Sequence, residues 1–173
     1  SPRDAIALGI GMVHQHFVLV DPFTVAENII LGMEGGPILN KEGSEAKVAE
    51  LAASYGFAID PSAVVEDLSV GEEQRVEILK ALYHGARVLI LDEPTAVLTP
   101  QEVDELFGVL RDLAAHGTAI VLITHKLGEV KALATRVTVM RAGRVVGHGA
   151  VAEHSVDAIA ELMVGRPIPA LRP

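Results

Sequence analysis

Two short runs of the chain carry residue types that could do chemistry. Leu89-Ile90-Leu91-Asp92-Glu93-Pro94-Thr95 sets two adjacent acids after a continuous apolar segment. That segment, Val88 to Leu91, reads as a strand buried on both faces of a parallel sheet. Acids at the C-terminal end of such a strand stand where open α/β sheets bind ligands. Neighbouring side chains there point in different directions, so one can face a Mg²⁺ ion and the other a reacting water. As a bare pair they would serve equally well as a helix cap or a solvated turn. The second run, Leu68 to Leu82, holds Ser69 and Gly71 just ahead of an apolar stripe at Val76, Leu79, Leu82 and Tyr83. A hydroxyl, open backbone N–H groups and the positive end of a helix together make an anion site. Taken alone, Ser69 is also an ordinary N-cap.

Elements that could position these runs are legible on either side. Asp4 to Leu8 suits a short helix, running into an apolar strand at Ile10, Met12 and Val13. A turn-rich stretch, Gln15 to Pro22, follows. Thr24 opens a helix with Glu27 as its capping-box partner. Val48, Leu51, Ala52 and Tyr55 recur at helical spacing within Ser44 to Tyr55, and Gly56 stops that helix. Asp60-Pro61 is a turn signal, so Thr24 to Gly85 is mainly helical. After the apolar strand, Thr99, Pro100 and Glu102 mark a helix start. Val103, Leu106, Phe107, Leu110, Leu113 and Ala114 form its apolar face, and Gly117 ends it. Ala119 to Ile123 is a further strand, followed by Thr124-His125. Val137 to Met140 and Arg144 to Val146 flank Ala142-Gly143 as a hairpin. Val156 to Val164 is a last helix before a Pro-rich end, Pro167 to Pro173, read as a linker or tail. Strands alternating with helices make the fold α/β.

Composition narrows the function. The 173 residues suffice for one ordinary domain with a real core. No apolar run reaches the roughly 18 residues of a membrane span, so a soluble chain is expected. The start, SPRDAIALGIG, lacks a basic end before a long apolar run and is not read as a signal peptide. Cysteine is absent, which excludes disulfides and thiolate metal sites. A net charge of -9 and few aromatics argue against a nucleic-acid partner. His14 and His16 flank Gln15 and alternate as strand side chains do. His84, His116, His148 and His154 read as surface residues.

Taken together, the two runs resemble the ABC ATPase family. Leu68-Ser69-Val70-Gly71-Glu72 stands where the family has its LSGGQ signature, and Leu89 to Thr95 matches its Walker B strand and adjoining glutamate. Gln15 in MVHQHF matches the Q-loop glutamine, His125 in LITHK the switch histidine, and Ala96 to Thr99 the D-loop. RVTVMRAGRVVGHG resembles the closing hairpin. MVHQHF, TVAENI, EPTAVLTPQE and ELMVGR are similar to the ATPases of simple-sugar and nucleoside importers, where two cassettes are often fused in tandem. The resemblance implies a P-loop NTPase-like, RecA-like cassette. Residues 1–23 would give a core strand and Q-loop, 24–85 a helical subdomain with the signature, 86–165 the RecA-like core, and 166–173 a linker.

The roles follow from the resemblance. Glu93 would orient the attacking water and Asp92 would hold Mg²⁺. Gln15 would touch the ion or the water, and His125 the γ-phosphate and Glu93. Ser69, Gly71 and Glu72 of the signature and Thr99 of the D-loop would face the ATP of a second cassette. Transmembrane permease subunits would be the direct partners, with a solute-binding protein acting indirectly. The expected place is the cytoplasmic face of the cell membrane. There are departures. Thr99 stands where the family's D-loop usually has aspartate, and Val70 and Glu72 replace Gly and Gln. No G-x-x-x-x-G-K-[ST] occurs, so the phosphate-binding loop and the adenine-stacking aromatic would precede Ser1. Without them this chain alone is expected to be inactive, with exposed sheet edges that invite self-association or a rearranged sheet. Two other classes stay open from sequence: a soluble ABC ATPase outside transport, and a non-catalytic piece acting only through protein contacts.

Overall fold

The computed structural model describes residues 1–32 and 41–166. The chain divides into two compact units, 1–123 and 124–173.

In the first unit, α1 (Pro2–Ala7) leads into β1 (Ile10–Val13). A loop without regular structure then reaches α2 (Val25–Ile30). Next come α3 (Lys41–Ser54), α4 (Val70–Tyr83), β2 (Val88–Asp92), α5 (Pro100–Ala115) and β3 (Ala119–Ile123). The strands form a parallel sheet in the order β1-β2-β3, with Val13 opposite Leu91 and Asp92 opposite Ile123. β1 and β3 are its edges.

The expectation that β2 is buried on both faces is corrected. Leu89 and Leu91 are fully buried, whereas Val88, Ile90 and Asp92 are only half-buried. Register explains the asymmetry. Gly11 pairs with Leu89 and Val13 with Leu91, so these residues share one face. α4 lies against that face: a Cβ placed on Gly11 would stand 2.9 Å from the Cβ atoms of Ala81 and Ala86. Glycine at position 11 is what allows the close approach. On the opposite face Met12, Val121 and Ile123 are exposed.

The expected helical stretch is present. The Thr24 hydroxyl accepts from the Glu27 amide and the Thr24 amide donates to the Glu27 carboxylate, closing the capping box. Val25, Ala26, Ile29 and Ile30 are buried, with α2 packed on α3 and α4. Val48 and Ala52 are buried on α3, which starts three residues before the expected Ser44. Gly56 follows it at φ 70, a left-handed stop that glycine adopts without a side-chain clash. On α4, Val76, Ile78, Leu79 and Leu82 are buried and Tyr83 half-buried. On α5 the buried set is Leu106, Phe107, Leu110 and Leu113, and Ala114 turns out exposed.

The second unit holds α6 (Leu127–Leu133), β4 (Arg136–Arg141), β5 (Arg144–Ala150) and α7 (Val156–Val164). β4 and β5 form the expected hairpin, and α7 packs on both. Its turn puts Ala142 at φ 49 and Gly143 at φ 73, the paired positive angles of a tight hairpin turn. α6 was not anticipated. It has no side-chain cap and spans only 7 residues, so its sequence carries little helical signal. The Pro-rich end lies outside the described residues. Among the described residues no helix is long and apolar enough to cross a membrane.

Candidate functional site

The C-terminal ends of β1 and β2 lie side by side, and each carries a residue singled out from sequence. Gln15 sits two residues beyond β1, and its Nε2 reaches to 3.5 Å from Oε2 of Glu93. Asp92 is the last residue of β2 and half-buried, on the face of Ile90. Glu93 adopts φ 45, in the left-handed region. For a residue with a Cβ this costs about 1–3 kcal/mol and persists only where surroundings impose it. Here the Glu93 amide donates to the Ile123 carbonyl at 2.9 Å, extending the β2–β3 ladder by one bond. Its carbonyl accepts from Ala96 at 3.1 Å, closing a turn over the nearly inaccessible Thr95. The strand's alternation therefore breaks at Glu93, and the two acids diverge.

The signature residues form a second cluster. Ser69 caps α4, its hydroxyl donating to Oε2 of Glu72 at 2.7 Å and its amide to the same oxygen at 2.8 Å. Gly71 lies against the carboxylate of Glu102 on α5. A Cβ on Gly71 would lie 2.7 Å from Oε1 of Glu102, so a larger residue there would push that carboxylate aside. Oε2 of Glu102 meanwhile accepts from the Thr99 amide and hydroxyl, both at 2.8 Å. Ser69, Gly71, Glu72 and Thr99 are thus gathered by two carboxylates. The expectation of an open hydroxyl is corrected: the Ser69 hydroxyl is already engaged within the chain. Arg75 on α4 pairs with Glu105 on α5 at 2.5 Å, tying the same two helices.

His125 belongs to the second unit, two residues past β3, and is exposed. Beside it the Thr124 hydroxyl donates to Glu129 at 2.7 Å. His14 and His16 are exposed, and among the described residues no group of three His, Cys, Asp or Glu could hold a metal ion. His84 is corrected from surface to half-buried, with Nε2 3.1 Å from the Ile29 carbonyl. His154 is also half-buried, against Gly149, while His116 and His148 are exposed as expected. Sequence reasoning missed the place of Glu102, because its second oxygen faces Gly71 on another helix. It also missed Asn28 and Glu77, both buried. An available signal was a carboxylate inside the apolar run Val76-Glu77-Ile78-Leu79.

The clustered carboxylates have a pH signature. Hydrogen bonds from the Ser69 amide and hydroxyl hold Glu72 below the ordinary value of 4.5. The Thr99 amide and hydroxyl, the Gly71 amide and the Arg75 charge do the same for Glu102. Burial and the Asp21 charge push Glu73 upward instead. A depressed carboxylate adds stability above its unfolded value and loses it as pH falls through the folded one. Glu102→Ala is therefore expected to lower the urea midpoint at pH 7. The gap from the parent should shrink as the pH drops below about 4.5. A gap of constant size in unfolding titrations across that range would remove the charged form from the linkage.

The sequence profile of the ABC transporter family matches residues 2–96, more than half of the chain. Among the relatives is the nucleoside import ATP-binding protein NupA of Lactococcus lactis subsp. cremoris, 52% identical over 97% of this chain and 34% of its own length. The guanosine import ATP-binding protein NupO of Bacillus subtilis is 50% identical over 97% and 33%. The ribose import ATP-binding protein RbsA 3 of Rubrobacter xylanophilus is 45% identical over 100% and 35%. This chain thus spans about a third of the length of the curated relatives it matches. Among solved structures, a nucleotide-free ATP-binding cassette of an ABC transporter superposes with a TM-score of 0.75 at 22% identity, over 96% of this chain and 69% of that one. An ATP-binding cassette in its ADP conformation gives 0.74 at 21%, over 95% and 68%. At that identity the likeness concerns the fold alone. The α/β unit with its parallel sheet is that of an ATP-binding cassette, and the chain belongs to the ABC transporter family.

Proposed function

We propose that this chain carries the water-activating part of the ATP-hydrolysing subunit of an importer for simple sugars or nucleosides. The observation that carries the proposal is the convergence of Gln15 on Glu93 at the strand ends, beside Asp92. The import names of the nucleoside and ribose relatives support the solute class.

In this reading Glu93 orients a water and takes its proton as the oxygen attacks the γ-phosphorus. The bond to the β–γ bridging oxygen breaks and ADP leaves. Catalysis of this kind rests on positioning and charge stabilisation. Asp92 and Gln15 fit Mg²⁺: one carboxylate and one amide oxygen, completed by waters and phosphate oxygens, suit a small hard cation. The ion, when bound, would supply neutralising charge to the phosphates. The Gln15 amide, with its nitrogen toward Glu93, keeps its oxygen for the ion or the water. His125 contacts the γ-phosphate. The signature donors of Ser69 and Gly71 serve ATP held by a second cassette, in a dimer or a tandem fusion, once Glu72 releases the Ser69 hydroxyl. The helical stretch docks on transmembrane permease subunits, so the protein works peripherally at the cytoplasmic face. A solute-binding protein delivers the solute and acts on this chain only indirectly.

Uptake of labelled ribose and guanosine by cells expressing the full-length protein with its permease tests the assignment. ATP-dependent uptake of either supports it, and uptake of neither overturns the solute class. A second expectation concerns the 173-residue chain by itself. Its sequence has no Gly-Lys-Ser or Gly-Lys-Thr, so the backbone cradle and lysine that neutralise β- and γ-phosphates are not supplied. The acids alone repel a polyphosphate. Phosphate release by this chain should stay at the background of a protein-free control. Micromolar Mg·ATP binding with steady release would reveal a phosphate cradle elsewhere in it.

A further inference from the structure

Residues 14–20, just after β1, belong to no strand, yet side chains hold their backbone at Val18 and Val20. The Val18 amide donates to Oε1 of Glu77 at 2.7 Å, and its carbonyl accepts from Nζ of Lys80 at 3.4 Å. Two residues on, the Val20 amide donates to Oδ1 of Asn28 at 2.7 Å, and its carbonyl accepts from Nδ2 of Asn28 at 3.1 Å. Residues two apart in extended chain present their backbone groups on the same side. Side chains of α4 and α2 therefore bind this stretch much as a neighbouring strand would. Packing does not explain the hold, because the Val18 side chain is 62% exposed.

Glu77 is 7% exposed and Asn28 is fully buried. A carboxylate that far from water is costly unless it has partners. Bonds donated by a backbone amide to an ionised carboxylate are among the stronger protein hydrogen bonds. Gln15 hangs between this anchor and the sheet. On one side Val13 is paired opposite Leu91 and fully buried. On the other side stands Val18, and only residues 14–17 lie between.

We propose that Glu77, assisted by Lys80, is a positioning residue for Gln15: by gripping the Val18 backbone from α4 it sets where the Gln15 amide stands relative to Glu93. The inference rests on the proposed hydrolysis. It extends that reading by making α4, the helix capped by Ser69, the element that fixes Gln15. Glu77 lies eight residues beyond Ser69, about 12 Å along one rigid helix. The position of the signature end and that of the Gln15 amide are thereby linked through a single element.

The test is a double-mutant cycle in the full-length protein, read by steady-state ATP hydrolysis. Glu77→Ala should lower kcat about tenfold with KM for Mg·ATP nearly unchanged. Glu77→Gln should recover most of the loss, because its amide oxygen still accepts from Val18. In a Gln15→Ala background, Glu77→Ala should add no further loss, whereas a merely structural contribution would multiply. Hydrogen exchange without nucleotide gives an independent reading: amides of residues 15–20 should lose protection while those of β2 keep theirs. Full additivity in the cycle, or parental kcat in Glu77→Ala, overturns the proposal. Should Glu77→Ala not fold, Lys80→Met replaces it, with a loss of about two- to threefold that must vanish in the Gln15→Ala background. A parent protein without ATPase activity would sink the functional reading instead. Exchange at residues 15–20 would then decide alone whether Glu77 holds the loop.

Discussion

Glu93→Gln in the full-length protein is expected to lower ATP hydrolysis by about 10²–10⁴-fold while nucleotide affinity stays at the parental level, the loss typical of removing a general base. The substitution isolates proton acceptance from shape. Glutamine has the same length, so it can still meet Gln15, whose Nε2 now lies 3.5 Å from the carboxylate. The backbone consequences are also small. Position 93 sits at φ 45, and the hydrogen bond its amide donates to the Ile123 carbonyl does not involve the side chain. Glutamine bears the same left-handed strain as glutamate, so stability should change little. What disappears is the basic oxygen beside the position proposed for the water. Affinity for Mg·ATP by equilibrium binding, set against phosphate release, separates the two effects. Near-parental turnover would remove Glu93 from the chemistry and turn attention to Asp92 or His125.

Ser69→Arg should abolish hydrolysis, by about 10²-fold or more, while a single cassette binds ATP as well as the parent. Ser69 is exposed, so a larger side chain meets solvent rather than core. Losing the capping hydroxyl costs about 1 kcal/mol. A cation at a helix N-terminus costs about 0.3–1 kcal/mol more. Neither is enough to unfold an ordinary domain. The large effect arises only if a second cassette must bring its nucleotide to this surface. Arginine would then fill that space and block closure. Hydrolysis measured against protein concentration, with binding measured on the dilute protein, reads both arms. Equal loss of binding in the dilute protein would mean that the signature does not act on a partner's nucleotide.

Local features were legible because their causes are local. A capping box spans four consecutive residues, so Thr24 with Glu27 and Thr99 with Glu102 announce their helices in the sequence. Apolar spacing announced β1, β2, β3 and the buried faces of α4 and α5 in the same way. Where local signal was thin, as in α6 with its uncapped start, the element went unread.

The sequence by itself determined the order of elements, the types of residue at the strand ends and the family to which they belong. Tertiary structure decided which of those residues meet. Gln15 and Glu93 are 78 positions apart, and only the parallel register of β1 on β2 brings them together. Val18 and Glu77 are 59 apart, joined because α4 packs on β1 through Gly11. The left-handed turn at Glu93 is likewise a product of the β2–β3 ladder, since glutamate has no preference of its own for that conformation. Pairings of this kind depend on how crossover connections return the chain to the sheet. Residue type and spacing carry no record of that, because the same apolar strands would satisfy their own periodicity in any register that buries the same face.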